Sequence, residues 1–166
     1  TITGADGFND YNWTVPAALK SDHCLVRVSD NRTQFINDIT DTSAGVFSMK
    51  PTITLSEPVL NQNVTANTDN TPIRWSYTGS GITRVNLEYS TNGGVNYTTI
   101  ENNVMVENGT TYLWPLVPTT TSTDARVRIY DVDVAKANVS SVSPKFNIIG
   151  NLKLTGPTGG GQNYPV

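Results

Sequence analysis

The residues best equipped for acid–base or nucleophilic chemistry fall at one place in the chain. The single histidine, His23, stands between Asp22 and the only cysteine, Cys24. A thiolate–imidazole dyad needs both side chains on one side of the backbone, and consecutive residues of an extended strand point to opposite faces. His23 therefore reads as a loop residue or one leading into the apolar stretch Leu25–Val28, and Cys24 as a small edge or core residue. No Gly-Xaa-Ser-Xaa-Gly elbow, phosphate loop or dinucleotide fingerprint occurs; Gly159-Gly160-Gly161 runs into Gln162-Asn163-Tyr164-Pro165 instead of a helix and reads as a loop. The expectation is a protein that is not an enzyme and requires no cofactor.

Oxygen ligands are better represented. Asp30, Asp38 and Asp41 share one loop, and Asp131 and Asp133 open a second. Ca²⁺ takes six to eight oxygens, commonly from loops of extracellular modules, so the first trio is a candidate Ca²⁺ site. No EF-hand spacing is present, and Asp is also a good turn residue. Tyr97, Tyr130 and Tyr164 could form a sugar-stacking platform, whereas Trp13, Trp75 and Trp114 read as core. Six Asn-Xaa-Ser/Thr sequons, at Asn12, Asn31, Asn63, Asn96, Asn108 and Asn138, are glycosylation candidates. The run Thr119-Thr120-Thr121-Ser122-Thr123 reads either as an O-glycosylation site or as a flexible loop between strands.

The elements that position these residues are strands. In 166 residues, charged side chains supply only 15%, while 24 Thr, 18 Asn and 12 Ser make up about a third of the chain. Thr suits strands; Asn, with 13 Gly and 9 Pro, punctuates turns. A net charge of −3 excludes a nucleic-acid binder that works through a basic patch. No apolar run reaches the roughly 20 residues that cross a bilayer as a helix. The opening residues lack the basic and apolar regions of a signal peptide, so any such peptide lies outside this sequence. The best helix candidate, 16–20, is one turn long. Period-2 alternation is common instead: Ile73, Trp75, Tyr77; Val85, Leu87, Tyr89; Val127, Ile129; Phe146, Ile148. That is the pattern of half-buried antiparallel strands. Asn92-Gly93-Gly94, Asn108-Gly109, Pro118 and Asp69-Asn70 separate them, Asn-Gly fitting a tight hairpin.

The chain also resembles itself. Tyr11-Asn12-Trp13 recurs as Tyr112-Leu113-Trp114, and Leu25–Asp30 recurs as Arg126–Asp131. Phe47, Leu55 and Pro58 recur as Phe146, Leu154 and Pro157. A period of about 100 residues is the size of one immunoglobulin-like sandwich. One full repeat is expected over 52–149, with 1–51 matching only the closing strands of a repeat and 150–166 only the opening strand of another. The fold expected is all-β, tandem immunoglobulin-like β-sandwich domains within a longer array. Short joints at Lys50-Pro51 and Ile149-Gly150-Asn151 leave little slack, which favours a semi-rigid rod. Half a sandwich exposes its core face and an unpaired edge, so self-association with other copies is expected, by strand complementation of residues 1–51.

The stretches Ile73-Arg74-Trp75, Val85–Tyr97, Tyr112-Leu113-Trp114 and Ala125–Asp131 together resemble the Ig-like, fibronectin-III-like repeats of large bacterial cell-surface proteins such as S-layer glycoproteins. Those repeats often carry a hairpin like Tyr89–Tyr97, close like Ser141–Ile148 and reopen like Leu152–Gly160. Ser90–Tyr97 is similar, too, to the structural Asp-box hairpin of sialidase propellers, with Asn92 where Asp is usual. The resemblance implies an exported, extracellular, non-enzymatic module: a surface-layer scaffold, glycosylated, with Ca²⁺ as a possible structural ion, or else an adhesin or carbohydrate-binding spacer of a secreted multidomain protein.

Overall fold

Alternation of β-formers with small polar residues gives short strands wherever one face can be buried. The computed structural model describes residues 11–16, 21–30, 39–106, 111–133 and 139–152. In chain order the strands are β1 Ser21–Cys24, β2 Arg27–Ser29, β3 Thr40–Thr42, β4 Phe47–Met49, β5 Thr52–Glu57, β6 Asn63–Thr65 and β7 Thr71–Thr78. They continue with β8 Arg84–Ser90, β9 Thr98–Met105, β10 Thr111–Trp114, β11 Ser122–Asp131, β12 Ser140–Val142 and β13 Phe146–Ile149. The described residues are all-β and contain no helix; the expected helical turn falls mostly on 17–20, outside them.

Residues 52–149 build two sheets. One has the order β10-β7-β5; the other runs β6-β13-β11-β8-β9, with β12 added beside β11. All pairings are antiparallel except β13 with β6. A single apolar cluster from Ile53 to Ile148 lies between the sheets, an arrangement consistent with a β-sandwich. The alternation read from the sequence decides which side chains enter it. Val85 and Leu87 of β8, Val127 and Ile129 of β11 and Phe146 of β13 are fully buried, while Arg126, Arg128 and Tyr130 face outward between them. Trp75 and Trp114 are each 2% exposed, and Trp114 packs against Tyr89 with ring centroids 5.2 Å apart. Tyr77, next to the end of β7, is 39% exposed, so that strand's apolar face ends at Trp75.

Residues 21–49 form two small pairs, β1 with β4 and β2 with β3. Ser21 pairs with Met49 and Cys24 with Phe47, as Ser122 pairs with Ile148 and Ala125 with Phe146. Both ladders are irregular at the same place, between those two pairs. Val28 pairs with Asp41, and Ile129 with Ser141. The loop bonds agree as well. Ser43 N–H donates to Val26 O at 2.8 Å and Ser143 N–H to Val127 O at 2.8 Å. In return, Val26 N–H reaches Ser43 Oγ at 3.3 Å and Val127 N–H reaches Ser143 Oγ at 3.0 Å. Asp30 N–H bonds Ile39 O, and Asp131 N–H bonds Val139 O. Thus the two stretches share one register and one set of side-chain clamps.

They differ in what covers them. Val127, Ile129 and Trp114 are 0%, 0% and 2% exposed; Val26, Val28 and Trp13 are 45%, 63% and 46% exposed. The core placement expected of Trp13 is therefore corrected. Its ring meets that of Phe47 edge-on, centroids 6.2 Å apart, and no described residue supplies the second sheet that encloses Trp114.

Candidate functional site

The acid–base cluster is a surface pair. His23 Nδ1 lies 2.5 Å from Asp22 Oδ1, with the side chains 79% and 48% exposed. The bond to His23, followed by one to its own backbone amide, holds the Asp22 carboxyl below its usual range. Cys24 Sγ lies 3.9 Å from Ser21 O, while the imidazole is engaged with Asp22.

Two of the acidic residues expected in loops lie in strands instead, Asp41 in β3 and Asp131 at the end of β11. Asp30 and Asp41 stand near the same end of the β2–β3 ladder, joined through Asp30 N–H to Ile39 O. Asp41 Oδ1 accepts from Thr42 N–H at 2.9 Å, and Asp131 Oδ1 accepts from Asp133 N–H at 3.1 Å. Asp38 lies outside the described residues, among which no three His, Cys, Asp or Glu side chains gather as a metal set.

The aromatic side chains form a denser arrangement, built by the β8–β11 register. Arg128 and Glu88 are direct cross-strand partners. Arg128 Nε and Nη2 both donate to Glu88 Oε2, and Tyr130 Oη donates to Glu88 Oε1 at 3.2 Å. The guanidinium carbon sits 4.0 Å from the Tyr97 ring centre and 5.5 Å from that of Tyr130, within cation–π range. Tyr97 and Tyr130 thus meet around Arg128, which occupies one face of Tyr97; Tyr164 lies outside the described residues. Strand spacing alone hides this cluster, because Glu88 and Arg128 are forty residues apart and only the register joins them.

Tyr97 is delivered by the β8–β9 connection. Asn92-Gly93-Gly94 lies in a loop of residues 91–97 that joins the two antiparallel strands. The Oγ of buried Ser90 accepts Asn92 N–H at 3.2 Å and Gly94 N–H at 2.9 Å, and donates to Asn92 Oδ1 at 2.8 Å. Asn92 Oδ1 also accepts Asn96 N–H at 3.0 Å. Gly94 holds φ +91°, a conformation that strains any L side chain, and a Cβ there would lie 2.9 Å from the Tyr97 hydroxyl and displace it. Replacing Ser90 with Ala leaves two loop amides without their acceptor. The expected loss is about 2 kcal/mol of stability, read as a lower urea midpoint at unchanged m-value.

Tyr112 of β10 gives a pH signature. Partial burial, then the nearby Glu101 carboxylate, raises its phenol above the ordinary 10.0. The folded chain favours the neutral phenol, so this contribution is complete below the unfolded value and is lost as pH climbs through the raised one. Ultraviolet titration of Tyr112→Phe should lack one late-ionising tyrosine step present in the parent.

Among the glycosylation candidates, Asn12, Asn63 and Asn96 are exposed; Asn31, Asn108 and Asn138 lie outside the described residues. Asn63 Oδ1 accepts from Asn147 Nδ2 at 2.8 Å, which ties β6 to β13 through the oxygen of the side-chain amide. Thr119, Thr120, Thr121 and Thr123 are exposed, and Thr121 and Thr123 border a cleft of about 760 Å³ that also includes Asn147 and Gly150. Ser122 differs from them: half-buried, it donates to Thr91 O at 2.8 Å.

The remaining surface of note is an apolar groove of about 670 Å³ lined by Tyr11, Trp13 and Leu25 through Ser29. No helix among the described residues is long and apolar enough to cross a membrane. Compared with known proteins, the chain matches no family model and no curated protein.

Proposed function

We propose that this chain is a non-enzymatic structural segment of an extracellular array, of the surface-layer kind, built from tandem immunoglobulin-like repeats. The carrying observation is the shared register of 21–49 and 122–148, down to the paired Ser43 and Ser143 clamps. One architecture written twice at a spacing near 100 residues is what a tandem array requires. The strand order supports the immunoglobulin-like assignment: β5, β7 and β10 take the places of strands A, B and E, and β8, β11 and β13 those of C, F and G. Repeat boundaries at about 51 and 149 follow from the same alignment.

The mechanism is mechanical. Sandwiches on short joints hold a fixed shape, and Thr- and Asn-rich faces meet neighbouring copies through hydrogen bonds and bridging water. Glycans on exposed Asn12, Asn96, Thr119, Thr120 or Thr121 would extend that polar surface, and Ca²⁺ at Asp30, Asp38 and Asp41 would tie the end of β2 to β3. Sedimentation velocity and negative-stain imaging across a concentration series, with Ca²⁺ and with chelator, test the reading. Ordered assemblies that grow with concentration are expected; a monomer at every concentration overturns it.

The second reading, an adhesin or carbohydrate-binding spacer, draws on the Tyr97–Arg128–Tyr130 cluster. Saturable binding of an oligosaccharide, abolished by Tyr97→Ala, would favour that reading over the lattice.

A further inference from the structure

We infer that the apolar face of residues 11–49 is the receiving half of a sandwich, and that its occupant is a five-stranded stretch of the same polypeptide running ahead of it, with the chemistry of residues 52–106. This rests on the repeat reading above and adds to it the identity of the missing partner. In the complete unit, the face presented by Val127 and Ile129 is closed by β5 and β7, while β8 pairs along Arg126–Asp131. The matching face carries Trp13, Val26 and Val28 at 46%, 45% and 63% exposure, and β2 is paired along one side only, with β3, among the described strands. A covering sheet and an edge strand are therefore both called for, in the geometry the chain itself displays at 52–106. Two- and three-residue ladders with an open apolar face are weak by themselves, so the occupant also supplies most of their stability.

The occupant is not the folded part of a second copy. There, residues 52–106 already enclose Val127 and Ile129, and lending them out would uncover as much apolar surface as it covered. Two receiving faces pressed together would bury Trp13 and Val28 but leave the Leu25–Asp30 edge without the strand that β8 provides for β11.

The test replaces residues 1–5 with a duplicate of residues 52–106 joined directly to Asp6, which sets the duplicate's Val106 as far ahead of Trp13 as Val106 stands ahead of Trp114. Cys24, the single thiol, is the reporter, because its register equivalent Ala125 is 0% exposed. The extension should slow reaction of Cys24 with an aromatic disulfide reagent by about 100-fold, as expected for a site that must open before it reacts. A control extension carrying Val85→Asp and Leu87→Asp in the duplicate alone should react like the unextended chain. An extended chain within about threefold of the parent rate overturns the inference. So does an unextended chain that forms a dimer with its thiol protected, since the face would then close on its own kind. Lattice formation is read by imaging and thiol protection by kinetics, so the two proposals can fail separately.

Discussion

Ile129→Asp should abolish the cooperative unfolding transition of residues 52–149, whereas Val28→Asp, at the same register position, should leave it in place. Ile129 is 0% exposed between the two sheets, and nothing in the apolar cluster could pair a carboxylate. Burying such a group unpaired belongs to the small class of substitutions costing more than about 4–5 kcal/mol. A domain of this size is stable by only about 5–15 kcal/mol, so much or all of its margin goes. Val28 is 63% exposed, and a surface exchange there should move stability by under about 0.5 kcal/mol. Far-ultraviolet dichroism and tryptophan emission against urea would separate the two. Equal loss of structure in both variants would mean that the Val26–Val28 face is already covered in this chain.

The contrast between those two positions also marks how far the sequence could be read. The strands were legible because one-sided burial imposes a period of two, and β7, β8, β11 and β13 fall where Trp75, Leu87, Val127 and Phe146 alternate with polar residues. The similarity of Leu25–Asp30 to Arg126–Asp131 was legible as well. The state of that first stretch was not. Trp13 and Val28 have the side chains of core residues, but burial depends on a facing sheet, and pattern reports only which side would be buried. The Ser43 and Ser143 clamps were missed although both serines sit at matching places beside the two ladders. A serine looks like turn filler until the backbone brings its hydroxyl to Val26 or Val127 N–H. The Arg128 cluster was hidden for a related reason: Tyr97 and Tyr130 could be picked as aromatics, but the cation between them comes from cross-strand pairing. The Ser90 loop, by contrast, announced itself by its Asn-Gly-Gly between two alternating strands.

Phe146→Ala offers the second large effect, with its own internal control. Phe146 is the largest of the fully buried side chains, and its strand joins β11 to β6. Truncation removes a ring's transfer energy and leaves a cavity in a core closed by two sheets, which costs about 3–5 kcal/mol. The urea midpoint of residues 52–149 should fall accordingly at an unchanged m-value, because as much surface is exposed on unfolding as before. Phe47 occupies the equivalent place on β4, but only half-buried, with Trp13 edge-on at 6.2 Å as its aromatic neighbour. Phe47→Ala should cost about 1.5–2.5 kcal/mol, roughly half a ring's transfer energy plus one such contact, and confine that cost to residues 11–49. If the chain is extended so that Trp13 and Val28 are covered, the same Phe47→Ala substitution should rise toward the Phe146 value. The penalty belongs to the cavity a closed core cannot fill, and an open face has no cavity to leave.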